Sequence, residues 1–323
     1  KLPVANTTEF SISGAPLTIT AKNHTIPYGD LPTHDGVTYS GFVNGEDESV
    51  LSSSVNYSYS YSRYEDVGDY TITISGVTAT NYDITFVAGT LTVAPKEVGL
   101  SWGETALTYN GSEQTPAVTA TGIVKRDEID VTVTGGETSV GTGYTATVTG
   151  LTGTKAGNYT LPATKTQEFS IVKASLTVTA NNHSITYGDA PANSGVSYTG
   201  FVNNEDKSVL SGEISYDCGY SQYDDVGTYT ITPGGLTSSN YDITYTPGTL
   251  TVNPKEVGII WEGTSFTYDG TAKEPTATKK SADIVNNDDV GETVTVTISA
   301  KEGSSLTGGE AKLVGNYRAK AAL

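Results

Sequence analysis

The chain repeats itself at an offset of 159 residues: Leu17 to Pro95 aligns without a gap on Leu176 to Pro254, with 48 identities in 79 positions. Self-similarity of this strength constrains the architecture before any local signal does, because each copy must fold as the same small unit. The residues behind each copy match at the same offset. Lys96-Glu97-Val98-Gly99 pairs with Lys255-Glu256-Val257-Gly258, Trp102 with Trp261, Tyr109-Asn110-Gly111 with Tyr268-Asp269-Gly270, and Pro116 with Pro275. The order is therefore A, B, A, B, with A units at 17–95 and 176–254 and B units at 96–175 and 255–323. Each is near 80 residues, enough for a modest core.

The ends are out of phase with this repeat. Leu2-Pro3 and Phe10-Ser11-Ile12 match Leu161-Pro162 and Phe169-Ser170-Ile171, so residues 1–16 read as the last strand of a preceding B-type unit plus a linker. Gly315-Asn316-Tyr317 matches Gly157-Asn158-Tyr159, and Leu323 is reached before any counterpart of Phe169 to Ile171, so the second B unit reads as lacking its last strand. Two explanations stay open. One is a long array, or a processed product beginning at Lys1, cut at an arbitrary phase. The other is a head-to-tail filament, in which residues 1–12, through Leu2, Phe10 and Ile12, complete the terminal B unit of the next molecule.

Within an A unit, Leu17 to Ala21, Val37 to Tyr39, Val55 to Tyr61, Tyr70 to Ile74 and Tyr82 to Val93 alternate with period two and are rich in β-branched and aromatic residues, which predicts strands. Asn44 to Leu51, with an Asn cap and acidic residues in its first turn, predicts one or two helical turns, repeated at Asn203 to Leu210. A B unit shows strands alone: Val98 to Trp102, Ala117 to Thr121, Ile129 to Thr134, Tyr144 to Thr149 and Phe169 to Val172. The joints are too short to swing freely.

Charge and composition exclude whole classes of function. With 36 Asp and Glu against 18 Lys and Arg, the net charge of −18 repels nucleic acid and anionic lipid. Cys218 is the single cysteine, so no internal disulfide and no cysteine-paired metal site is available. No apolar run reaches the roughly 18 residues of a membrane span, and no leader-like segment opens the chain.

The A pattern, LTVTANNHSITYGD, YTGFVNNEDKSVL, YDDVGTYTITPGG and NYDITYTPGTLTV, resembles the MBG domain of the YGX type, found in tandem in bacterial cell-surface proteins and adhesins. The B pattern, SWGETALTYNGSEQTPAVTATG and AGNYTLPATKTQEFSI, resembles the bacterial Ig-like repeats that often accompany it, although the second copy departs from it between about 283 and 312. The resemblance implies an extracellular protein of the bacterial cell surface. It implies no catalytic residues.

No residue pattern supports enzyme chemistry. His24 and His183 occupy one repeat position, but His34 becomes Asn193, so no histidine pair recurs. Glu46-Asp47-Glu48 and Glu65-Asp66 lack the spaced ligand series of a calcium loop, and Glu48 becomes Lys207 in the second copy. A solvated helix start is the favoured reading there; weak calcium binding is the alternative, and no other cofactor is indicated. No phosphate, dinucleotide or nucleophile-elbow motif is present.

Three further features are candidates. Tyr57, Tyr59 and Tyr61 share one face of a strand and would either pack in the core or offer an exposed ligand-binding ladder; the second copy reads Tyr216, Cys218, Tyr220. Lys96 near the start of the first B unit and Asn158 near its end would suit an isopeptide bond, as in the Ig-like domains of some bacteria. Lys255 and Asn316 repeat the pair, but Asn-Tyr also ends the A units, at Asn81 and Asn240, which favours a turn role. The expectation is a mainly β tandem array, MBG-type domains with one short helix alternating with Ig-like β-sandwiches, as a rod of roughly 120 to 160 Å. The functional expectation is a non-enzymatic stalk or spacer of an adhesin. Its partners would be neighbouring repeats, copies of itself, or host glycans, mucin or matrix protein.

Overall fold

A computed structural model describes residues 7–124, 126–286, 288, 294–307, 309–313 and 315–322. The chain divides after Val172 into two compact units, each holding one A and one B segment. Among the described residues no helix is long and apolar enough to cross a membrane.

The first A segment has seven strands: β1 Ala15–Ala21, β2 His24–Pro27, β3 Val37–Ser40, β4 Asn56–Tyr59, β5 Gly68–Ser75, β6 Tyr82–Val87 and β7 Gly89–Ala94. They form two sheets, β3-β1-β6 and β2-β7-β5-β4. Strand β1 pairs antiparallel with β3 and parallel with β6, and β7 likewise joins parallel β2 to antiparallel β5. Period-two alternation places Leu17 and Ile19 of one sheet and Ile72, Leu91 and Val93 of the other in a common core, all fully or almost fully buried. Each such side chain contributes roughly 1.5–3 kcal/mol by leaving water. The threonines between them, Thr18, Thr71 and Thr92, line the outer faces, where a β-branched polar residue suits a half-solvated sheet.

The expected helical turns contract to a single 3₁₀ turn, Glu48–Val50, and its cap is Asp47 rather than Asn44. Asp47 Oδ1 accepts from Ser49 N at 2.9 Å, whereas Asn44 sits at φ 55° in a left-handed turn that no helix can begin from. The second copy behaves alike, with Lys207–Val209 capped by Asp206.

The first B segment adds β8 Lys96–Glu97, β9 Gly99–Trp102, β10 Ala106–Thr108, β11 Val118–Thr121, β12 Asp130–Thr134, β13 Gly141–Thr152, β14 Tyr159–Thr160 and β15 Thr166–Val172. A four-stranded sheet, β10-β15-β13-β12, stands beside the pairs β9-β11 and β8-β14. Phe169 and Ile171 of β15 are buried beside Ala146 and Val148 of β13.

In the second unit, the A segment repeats the first strand for strand: β16 Ala174–Ala180, β17 His183–Thr186, β18 Val196–Thr199, β19 Ser215–Cys218, β20 Gly227–Gly234, β21 Tyr241–Thr246 and β22 Gly248–Asn253, in sheets β18-β16-β21 and β17-β22-β20-β19. Its B segment holds β23 Ile259–Glu262, β24 Thr276–Lys279, β25 Thr295–Ala300 and β26 Tyr317–Ala322, as the pairs β23-β24 and β25-β26. Here the B repeat diverges in space as well as in sequence. Tyr159 pairs with Lys96 of β8, whereas its sequence counterpart Tyr317 pairs with Ala300 of β25.

Candidate functional site

The tyrosine row of β4 does not form an exposed platform. The strand ends at Tyr59; Tyr57 and Tyr59 are half-buried against the A core, and Tyr61 is buried, its hydroxyl donating to the Asp30 carbonyl at 3.3 Å. Tyr61 meets Tyr70 edge-on, and Tyr57 carries the stacked ring of His34. The second copy explains the tolerance for Cys218: it is half-buried and packs on the core beside Tyr216 and Tyr229.

The acidic residues are spent separately. Glu46 accepts from the Tyr82 hydroxyl at 2.5 Å, Asp47 caps the 3₁₀ turn, and Glu65 accepts from Ser62 N. The copy repeats the first bond, Tyr241 to Glu205, also at 2.5 Å. Among the described residues no three His, Cys, Asp or Glu side chains are arranged to hold a metal. His24 bridges Asp35 and Thr33, and His183 meets Ser194.

Of the candidate strand-exchange segment, Leu2 lies outside the described residues. Phe10 and Ile12 are 84% and 89% exposed in a stretch without strand structure, while Phe169 and Ile171, which they match in sequence, are buried. In the second B segment, Phe266 and Tyr268 line a cavity of about 550 Å³ with Trp261, Ile298 and Tyr317. Tyr268 is 60% exposed, whereas its counterpart Tyr109 is 5% exposed and donates its amide to the carbonyl of Val172 at the end of β15.

Lys96 and Asn158 lead to the joint between the A and B segments. Lys96 lies in β8, so the linker leaving β7 is itself paired to β14. Asn158, 3% exposed, spends both ends of its amide on the A segment: Oδ1 accepts from Val67 N at 3.0 Å and Nδ2 donates to Asp66 Oδ1 at 2.8 Å. The lysine met through Asp66 is Lys155, at 2.5 Å, and not Lys96. These donors hold the Asp66 carboxyl below its ordinary value, Lys155 first and Asn158 second. Behind them, the Tyr159 hydroxyl donates to Asp127 Oδ2 at 2.6 Å and accepts from Val124 N at 2.9 Å. Burial and that carboxylate raise the Tyr159 phenol well above the usual tyrosine range. Val98, Val124 and Tyr159 join the core of the A segment in one continuous apolar cluster. Spacing could have flagged Asn158, but Asp66, Lys155 and Asp127 carry no local signal. Across the joint, Asp66 lies 61 residues from Asp127 and 89 from Lys155.

Residues 17–92 and 176–251 match the family model described as MBG domain (YGX type), one match in each A segment. Among curated proteins none matches the sequence. Among solved structures, one similar chain is protocadherin gamma B2, extracellular cadherin domains 3–6, at 9% identity and TM-score 0.24 over 94% of this chain and 89% of that one. Another is the ZmpB catalytic domain with its two CBM51 domains from Clostridium perfringens, at 9% identity and TM-score 0.19 over 81% of this chain and 33% of that one.

Proposed function

We propose that the chain is a non-enzymatic segment of a bacterial cell-surface protein, an extracellular stalk or spacer in which MBG domains alternate with Ig-like domains. The observation that carries this reading is the A-to-B joint of the first unit, where a strand-paired linker, a shared apolar cluster and the bonded Asn158 make two repeats into one body. A module whose side chains are spent on its neighbour is suited to transmitting length, and a charge of −18 keeps neighbouring segments apart. Small-angle scattering of the whole chain tests it: a largest dimension of roughly 120 to 160 Å supports the stalk, and a compact particle refutes it. A glycan, mucin and matrix-protein array run in parallel asks whether the MBG domains also bind a ligand, which the family's adhesin setting suggests.

The exposure of Phe10 and Ile12 favours a second reading, association of copies through that segment. Their sequence match to a buried strand supplies the chemistry, since Phe-Ser-Ile would seat against an apolar edge such as Phe266 and Tyr268. Light scattering at micromolar concentration, with Phe10→Asp/Ile12→Asp as control, decides it: assembly lost in the variant supports exchange, and a monomer in both refutes it.

A further inference from the structure

Both units share one contact at the A-to-B joint that the pairing of strands does not require. Gly29 follows Tyr28 at φ +89°, and a Cβ added there would stand 2.6 Å from Val124 Cγ2 of the B segment. Gly188 follows Tyr187 at φ +93°, and its added Cβ would stand 2.9 Å from Val285 Cγ2. Three residues beyond each valine comes an aspartate whose amide donates back to the valine carbonyl, Asp127 to Val124 at 3.0 Å and Asp288 to Val285 at 3.1 Å, closing a turn. The carboxylate of that turn meets the tyrosine that precedes the glycine. Tyr187 donates to Asp288 Oδ2 at 2.7 Å; in the first unit Asp127 accepts from the Tyr159 hydroxyl and lies beside Tyr28, whose phenol is raised by burial and then by that carboxylate.

The rest of the A segment holds the glycine and its tyrosine in place. A side chain from the loop before β5 or β20 donates to the glycine carbonyl, Arg63 Nε at 2.8 Å and Gln222 Nε2 at 2.7 Å. A buried tyrosine hydroxyl donates to the carbonyl of the following aspartate, Tyr61 to Asp30 and Tyr220 to Asp189. The tyrosine amide is tied to the last strand of the domain, Tyr28 to Ala94 and Tyr187 to Asn253. The valine and aspartate of the second unit lie two residues beyond the positions that the 159-residue offset gives, within the stretch where the B copies differ most. The contact has thus been kept while the sequence around it drifted.

We infer that Tyr-Gly-Asp of each MBG domain is a docking socket for the domain that follows it, and that its ligand is a four-residue turn of the form Val-x-x-Asp. The glycine leaves room for the valine methyls and supplies the left-handed backbone; the tyrosine hydroxyl reads the aspartate. The assignment stands apart from the stalk reading, because a socket of this kind would order domains in any tandem protein.

The test is hydrogen exchange on the whole chain, following the amides of Val98 and of the Val124–Asp127 turn against those of β1, β5 and β7. Tyr28→Phe removes the hydroxyl that faces Asp127, and Asp127→Asn removes that carboxylate from Tyr28 and Tyr159 alike; each should speed exchange at the joint about 10-fold or more while leaving the three core strands unchanged. Gly29→Ala should do the same, and Val124→Ala in the same chain should recover part of the loss by making room for the new methyl. The corresponding set at Tyr187, Gly188, Val285 and Asp288 should repeat the pattern in the second unit. The inference is overturned if Asp127→Asn and Val124→Ala leave the joint as protected as in the parent chain. It is equally overturned if Tyr28→Phe loosens β1, β5 and β7 to the same degree as the joint, which would make the motif a part of its own domain's core.

Discussion

The two A-to-B joints start from nearly the same A sequence and end differently. In the first, Asn158 and Lys155 close over Asp66, Val67 is half-buried, and apolar residues of both segments form one cluster. In the second, Tyr187 donates to Asp288, but Asp225 and Val226, the counterparts of Asp66 and Val67, line a cavity of about 310 Å³ with Lys255 and Asp283. The difference comes from the B segment. Asn158 precedes a residue paired to β8 at the joint, whereas Asn316 precedes a residue paired to β25 and lines the other cavity instead. A repeated socket therefore fixes that two domains meet, and the following sequence decides how tightly they close.

The largest expected break of this contrast is Asn158→Ala. It leaves the Val67 amide and one side of Asp66 without their partner inside the joint, which should destabilise the first unit by roughly 1–3 kcal/mol, while Asn316→Ala stays within about 0.5 kcal/mol. Urea unfolding followed through Trp102 in one single-tryptophan variant and Trp261 in the other separates the two units. Equal effects at both asparagines would show the joints to be alike.

Next comes Tyr159→Phe, which removes a donor to Asp127 and an acceptor for Val124 N at once, for roughly 1–2 kcal/mol in the same measurement. Tyr317→Phe should matter less, since among the described residues its hydroxyl bonds to the nearby carbonyls of Ser305 and Leu313.

Titration should sharpen the comparison from both ends of the pH scale. The carboxyl of Asp66 is held below its ordinary value of 3.8 in the folded chain, so its contribution is fully present above that pH and is lost as the pH falls through the lower folded value. Acid should loosen the first joint in this window, and Asp66→Asn should abolish that step. Tyr187 is displaced the other way. Its bond to Asp288, with burial, pushes the phenol up to about 12 from 10.0, so the stabilisation holds below pH 10 and fades as the pH rises through 12. Exchange of the Asp288 amide against pH, with Tyr187→Phe as the control lacking the step, checks it. The smallest effect belongs to Lys155→Met, where a solvent-screened ion pair is lost and the urea midpoint of the first unit should move least.

Much of the fold was legible because its signals are local or repeated. Period-two runs such as Leu17 to Ala21 and Tyr70 to Ile74 became β1 and β5, since alternation alone decides which side chains can share a core. The 3₁₀ turn was placed correctly but capped at Asp47, because Asn44 adopts a left-handed backbone that its side chain tolerates and a helix start does not. The tyrosine row was legible as one face of a strand, yet its burial depends on which sheet lies opposite. The joint was the least legible part: Asn158 stood out only as a partner for Lys96, and its bonds go to Asp66 and Val67, 92 and 91 residues away.

The sequence by itself determined the repeat and the strands within each A copy, because duplication preserves the pattern that drives burial and a strand needs only its own alternation to form. The tertiary structure alone decided that Tyr28 and Gly29 face Val124 and Asp127, and that Asn158 closes one joint while Asn316 closes none. Such contacts join groups far apart in the chain, and their geometry exists only once the sheets have set the distance between them.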